Sequence, residues 1–444
     1  MTPNLVRVRF ERLRRAADRL LLAAAFTLAG CMAFSDARAA PPGSSMPRGA
    51  PPALAASTGG AAADSGLRAP YIPERDDEIL QQVPAASDPV VRQMASLRSR
   101  LATDPTNLGM ATDLARAYVD YGRRVGDAHY AGYAEAVITP WMAAGEPPPT
   151  IIVLQATILQ FRHEFAPARA LLKQALKRDS RNAQAWLTLA TLDMVQGDYA
   201  AASTDCAQTA RTAGLSYGAA CNANLFSYTG RARESVALLT ALSAGSPGSE
   251  RAILAWIEGL LAEANERLGN WPSAETHYRK ALSYTPDDNF LLVAYADFLL
   301  DRGRSAEVLT LLGAFAQSDT VYLRLALAHA ALGTPEAPRY AWIMGARFDA
   351  LAQRGSDFYG REQVRFALHL GHDPRTALAL AQRNWEAQRA PWDARVLLEA
   401  AVAAGDPQAA APVLAFVRET RLEDPVIESL ARELQRGVKA AVAR

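Results

Sequence analysis

Between residues 86 and 436 apolar residues recur at helical spacing, three and four apart, and the pattern is broken at nearly regular intervals. The clearest stretch runs from Ala255 to Asp288. Leu261 and Ala262 sit within one helical run. Gly269-Asn270-Trp271 interrupts it, and Ala274, Tyr278 and Ala281 then mark one face of a second run before Pro286. Gly269 can take the positive φ that ends a helix, and Pro286 cannot continue one. The spacing therefore predicts two antiparallel helices joined by a tight turn. A single such pair cannot bury its apolar face alone, so neighbours must stack on it.

Breaks equivalent to Gly269 fall at His163, Gly197, Gly230, Gly303, Gly333, Gly371 and Gly405. With Gly269 included, their spacings are 34, 33, 39, 34, 30, 38 and 34 residues. The stretch Asn182–Gly214 repeats the pattern with Leu189, Ala190, Gly197 and Ala202. Earlier, Asp104-Pro105 precedes a helix through Tyr118 that Gly122 is expected to end. An inserted loop, Arg123 to Tyr130, then delays the second helix of that pair. At the far end Asp424-Pro425 precedes a capping helix, Val426–Gln435, with Leu430 and Leu434 facing inward.

A period of 34 residues with small residues and Gly at these places resembles the tetratricopeptide repeat (TPR). The resemblance covers about 86–436. It implies an all-α solenoid of eight to nine helix-turn-helix pairs wound into a right-handed superhelix. It also implies a function of binding protein partners on the concave face, lined by the first helix of each pair. In register, the inward positions are Gln184, Leu187, Thr191, Met194, Leu225, Tyr228, Trp256, Glu263, Glu266, Phe290 and Asp297. These are apolar or aromatic, with acids toward the C-terminal half. Such a lining suits a partner segment of basic character.

The N-terminus changes the picture of where the protein works. Residues 1–19 carry six arginines, and Leu20 to Ala29 is an apolar run too short to span a bilayer. This reads as an export signal over 1–39, with Ala37-Arg38-Ala39 as a cleavage site. Leu28-Ala29-Gly30-Cys31 resembles the lipobox of bacterial lipoproteins, which makes Cys31 a lipidation candidate and the only expected link to a membrane. The two cleavage readings stand side by side. Residues 40–85 are a Pro/Gly/Ala-rich linker, in which Tyr71–Pro84 is either an ordered clip or more linker. The expected location is the periplasm.

Charge narrows the partner. The chain carries 47 basic and 46 acidic residues. Removing the arginine-rich signal leaves no basic stripe of the kind nucleic acid demands. Cys206 and Cys221 fall on adjacent helices of consecutive pairs, so a disulfide is plausible in an oxidising compartment. There is no Gly-rich phosphate loop, G-x-S-x-G elbow, H-E-x-x-H or paired C-x-x-C, and repeat helices take up nearly the whole chain. The reading is a scaffold without cofactor or catalytic residues. The alternative is a sensor that binds a small molecule or metal through the C-terminal units, with their aromatic residues and His369 and His372.

Overall fold

A computed structural model describes residues 88–245, 251–353 and 360–442. The export segment, Cys31, the linker and Tyr71–Pro84 lie outside the described residues. The described residues form twenty α-helices and one short 3-10 turn. The first helix, α1 (Pro89–Thr103), leads into nine hairpins. These are α2 (Leu108–Val125) with α3 (His129–Met142), α4 (Pro149–Phe161) with α5 (Phe165–Arg178), and α6 (Ala183–Gln196) with α7 (Tyr199–Ala213). Next come α8 (Leu215–Tyr228) with α9 (Ala232–Gly245), α10 (Arg251–Arg267) with α11 (Trp271–Tyr284), and α12 (Asn289–Leu300) with α13 (Ser305–Leu312). The last are α14 (Asp319–Leu332) with α15 (Ala337–Gln353), α16 (Arg361–His369) with α17 (Pro374–Ala387), and α18 (Pro391–Ala404) with α19 (Ala411–Thr420). A final helix, α20 (Pro425–Val442), ends the array.

Local chemistry sets these boundaries. Asn107, Asn182 and Asp288 each sit just before a first helix, and their side-chain oxygens accept the amides of Met110, Ala185 and Leu291, all at 3.0 Å. Each such cap contributes about 1 kcal/mol. Ala262, Ala274 and Ala281 are fully buried, which lets neighbouring helices approach closely around the buried Tyr278 ring.

Two turns differ from the sequence expectation. The first pair has no inserted loop at Arg123. Its helix α2 runs on through Val125, and Gly126 takes the positive φ of 68°. Gly122 is needed for space instead: a Cβ there would lie 2.7 Å from Tyr130 Cβ and 2.9 Å from the Asp127 carbonyl oxygen. In the eighth pair the left-handed residue is His372, at φ 50°, rather than Gly371.

The array closes on itself. Arg124, at the end of α2, reaches Asp287 before α12 at 3.0 Å. The turns within the second to sixth pairs rest against the C-terminal helices. The Arg389 amide donates to the Val195 carbonyl at 2.7 Å. The Ala232 amide donates to Glu423 Oε2 at 3.2 Å. Arg395 grips Asp301 with two hydrogen bonds of 2.6 Å. Gln388 Nε2 donates to His163 Nδ1 at 3.0 Å. Burial, with Arg361 adding, pushes that imidazole down to about 3, so it stays neutral and can accept.

Candidate functional site

The first helices of the middle pairs are buried nearly all round, and this decides what the inner face can do. Leu187, Met194, Leu225, Tyr228 and Trp256 are each 5% exposed or less and share one hydrophobic cluster with Cys206 and Cys221. Thr191 is equally buried and bonds its own helix, donating to the Leu187 carbonyl at 2.9 Å. Phe290, half-buried, packs on the small cluster of Ala255, Ala281 and Leu291. The expectation of an open lining at these positions is therefore corrected. Neighbouring helices of the array pack around them, so they work as core.

The acidic half is filled by the chain's own arginines. Arg324, in α14, is fully buried and bonds Asp297 of α12 through two nitrogens at 2.9 and 2.7 Å. Arg365 of α16 binds the same carboxylate, and Arg324 Nη1 reaches Glu362 at 3.4 Å. Burial alone would raise the Asp297 carboxyl, but Arg324 and Arg365 outweigh it and hold it below the usual carboxylate range. Glu263 pairs with Arg267 at 3.3 Å. Glu266 accepts from the Tyr278 hydroxyl at 2.6 Å. Around Trp392, the guanidinium of Arg395 lies 4.6 Å from the ring centre, and those of Arg361 and Arg365 lie 5.9 and 6.0 Å away. The basic groups that the acidic lining suits are thus supplied from within, by Arg267 of α10, Arg324 of α14 and Arg365 of α16.

These arginines are what sequence reasoning missed. One signal was available: Arg324 interrupts the apolar run VYLRLALAHAAL, and a lone charge in such a helix needs a buried partner.

The N-terminal half is different. Arg116, Val119 and Asp120 of α2, Val153, Leu154 and Thr157 of α4, and Gln184 at the start of α6 line a shallow pocket of about 410 Å³, its open mouth included. Arg116 and Asp120 make no hydrogen bond or ion pair among the described residues. Asp120 is exposed at the pocket mouth, where the charges of Arg123 and Arg116 act on its carboxyl. Gln184 uses its amide nitrogen on Thr188 at 3.1 Å, while its buried Oε1 has no partner among the described residues. The Arg123 guanidinium stands 5.1 Å from the Phe161 ring centre, its nitrogens buried and without an acceptor among the described residues. Of the inward positions read from the sequence, Gln184 is the one that lines this opening.

Cys206 of α7 and Cys221 of α8 are joined as a disulfide, their Cα atoms 5.5 Å apart. His369 ends α16 and His372 forms the turn after it. Among the described residues no group of three His, Cys, Asp or Glu is placed to hold a metal. Of the C-terminal aromatic residues, Phe348 and Phe366 pair edge to face at 5.4 Å, as do Trp385 and Phe416 at 5.3 Å. Phe358 and Tyr359 lie outside the described residues.

The same small, aromatic and left-handed positions thus recur through stacked hairpins, at Ala190, Gly197 and Ala202 as at Ala262, Gly269 and Ala274. The chain has a tetratricopeptide-type fold. No family model matches this TPR-type chain, and no curated protein matches it. Several solved structures are similar to it. The crystal structure of PilW, a widely conserved type IV pilus biogenesis factor, is 16% identical, with a TM-score of 0.37 over 48% of this chain and 96% of that one. A tetratricopeptide repeat protein from Parabacteroides merdae is 15% identical, with a TM-score of 0.35 over 59% and 97%. A human IFIT1 dimer with m7Gppp-AAAA is 13% identical, with a TM-score of 0.42 over 79% and 86%.

Proposed function

We propose that this chain is a non-enzymatic scaffold of the periplasm, exported by its N-terminal segment, that binds a protein partner through the open N-terminal part of its inner face. The observation that carries this reading is the α2–α4–α6 pocket. Arg116, Asp120 and Gln184 keep unused hydrogen-bonding capacity there beside the apolar Val119, Val153 and Leu154. Asp297, in the acidic half, is by contrast already held by Arg324 and Arg365. A surface with orienting polar groups on apolar walls is what a partner segment needs. The arginine-headed apolar run and the Cys206–Cys221 bond support export, since disulfides persist in oxidising compartments. Mass spectrometry of the mature N-terminus decides the tether: a lipid-modified Cys31 is a lipoprotein, and a chain beginning at Ala40 is free.

The functional test is crosslinking and affinity capture from the host envelope, wild type beside Arg116→Gln with Gln184→Ala. A partner held by wild type and lost by the variant supports the reading. Equal capture by both refutes the pocket as its site. Tyr228 and Asp297 are unsuitable for this purpose, because changing them breaks core packing.

A further inference from the structure

Where α10, α11 and α12 meet α18 and α20, the closure leaves a cleft of about 450 Å³, its open mouth included. Trp271 and Arg302 line it from the array, the guanidinium 3.9 Å from the indole centre. Trp392 and Arg395 line it from the returning pairs. Arg267, only 6% exposed, faces the same cleft. Its Nε and Nη1, and the Nε of Arg302, are buried and have no acceptor among the described residues. A buried donor left without a partner costs about 1–3 kcal/mol, more when charged, so three together at one cleft call for a ligand that accepts.

Acceptors alone are not enough, because the cleft also offers unused oxygens. Glu263 and Glu266 each bond through one carboxylate oxygen, to Arg267 and Tyr278. Asp424 spends one oxygen capping α20, on the amides of Val426 and Ile427 at 2.9 and 3.1 Å. The formal charges cancel, with Arg267, Arg302 and Arg395 facing Glu263, Asp301 and Asp424. The remaining carboxyl, Glu266, is pushed up to about 8 by burial and is largely neutral at pH 7. An anion would gain the arginines and meet three carboxylates, and a cation would meet the reverse. A neutral molecule whose hydroxyls both donate and accept satisfies both sets at once. The indoles of Trp271 and Trp392 carry the Arg302 and Arg395 guanidiniums against their rings, and the apolar surface they have left can meet its carbon-bound hydrogens.

We propose that this seam cleft is a binding site for a neutral, hydroxyl-rich ligand of the saccharide class, with Arg267 and Arg302 donating, Glu263 and Asp424 accepting, and Trp271 and Trp392 flanking the ring. The site joins the array to its own C-terminal pairs, so an occupant would strengthen the closure.

The mature full chain is titrated with maltotriose, cellotriose and triacetylchitotriose, and with trigalacturonate as the charged counterpart, by calorimetry and tryptophan emission. At least one neutral probe is expected to bind saturably. Its affinity falls about tenfold in Arg302→Gln, the loss of one charged hydrogen bond. It falls roughly threefold in Trp392→Phe, which keeps an aromatic ring against Arg395. Native helicity and melting are checked for both variants, so either one alone can carry the test. Three results overturn the proposal: no neutral probe saturates, trigalacturonate binds as tightly as the best neutral probe, or both folded variants bind like wild type.

Discussion

The two halves of the inner face come from the same repeat and end in different states. Around α12 and α14 the lining is acidic and closed: Asp297 is held between Arg324 and Arg365, and the returning helices cover the rest. Around α2 and α4 the lining carries Arg116 and Asp120 with neither paired, and a pocket remains. Helix pairing alone does not explain the difference, since both halves stack alike. Charge along the first helices does: Asp297 of the acidic half is matched by Arg324 of α14 and Arg365 of α16, while among the described residues no C-terminal side chain lines the N-terminal pocket. A solenoid groove can be occupied by its own terminal repeats wherever the two are complementary.

The largest expected effect breaks this comparison directly. Arg324→Ala leaves Asp297 and Glu362 in a buried site without their main counter-charge, and removing one partner of a buried pair costs about 3–5 kcal/mol. Arg116→Ala removes an arginine with no such partner and is expected to stay within about 0.5 kcal/mol. Urea denaturation of both variants reads the contrast, and similar losses at the two positions would dissolve it.

A smaller effect concerns the core beneath the predicted lining. Cys206 and Cys221 close a loop of 15 residues within the cluster that holds Leu187, Leu225 and Tyr228. Chain-entropy arguments give about 3 kcal/mol for a loop of this size. Reduction, or Cys206→Ala with Cys221→Ala, should lower stability by up to that amount. An unchanged denaturation midpoint on reduction would show that the bond adds nothing here.

The smallest effect is a pH signature that separates Glu266 from Asp297. Glu266 is raised to about 8 by burial, with Asp301 adding and the Tyr278 hydrogen bond opposing. Its folded form keeps a proton that the unfolded chain releases above about pH 4.5. Stability from this group is therefore full below that point and is lost as pH rises toward 8. Asp297 works the other way: its pairing stabilises the fold above the ordinary carboxylate range and is lost as pH falls through it. Glu266→Gln should flatten the decline between about pH 5 and 8 and leave the acid limb unchanged. An identical decline in that variant would assign it to another group.

Much of the fold was legible because its signals are local. The Ala262, Gly269, Ala274 and Tyr278 spacing, the Asn and Asp caps and the apolar runs all act within one hairpin. The two misplaced turns show where local signals mislead: Gly122 serves a close approach to Tyr130, and His372 rather than Gly371 takes the left-handed turn. The site was less legible, because it depends on contacts between pairs far apart in sequence. A register of inward positions does not reveal that Asp297 meets Arg365, 68 residues on, or that Val195 meets Arg389. Gln184 kept its place at an opening because, among the described residues, no C-terminal arginine lines its pocket.

The central claim, that the array closes on its own C-terminal pairs, has a direct test at the fourth pair's turn. Gly230 lies so close to Arg421 that a Cβ there would be 2.6 Å from the Arg421 carbonyl oxygen, although the residues are far apart in sequence. Cysteines replacing the exposed neighbours Arg231 and Arg421 in the full chain should therefore be joined within one molecule by a short bis-maleimide, seen as a faster-migrating monomer on a gel. If both thiols stay fully open to a maleimide and no crosslink forms, the inner face is open in solution, and the self-filled groove described above is wrong.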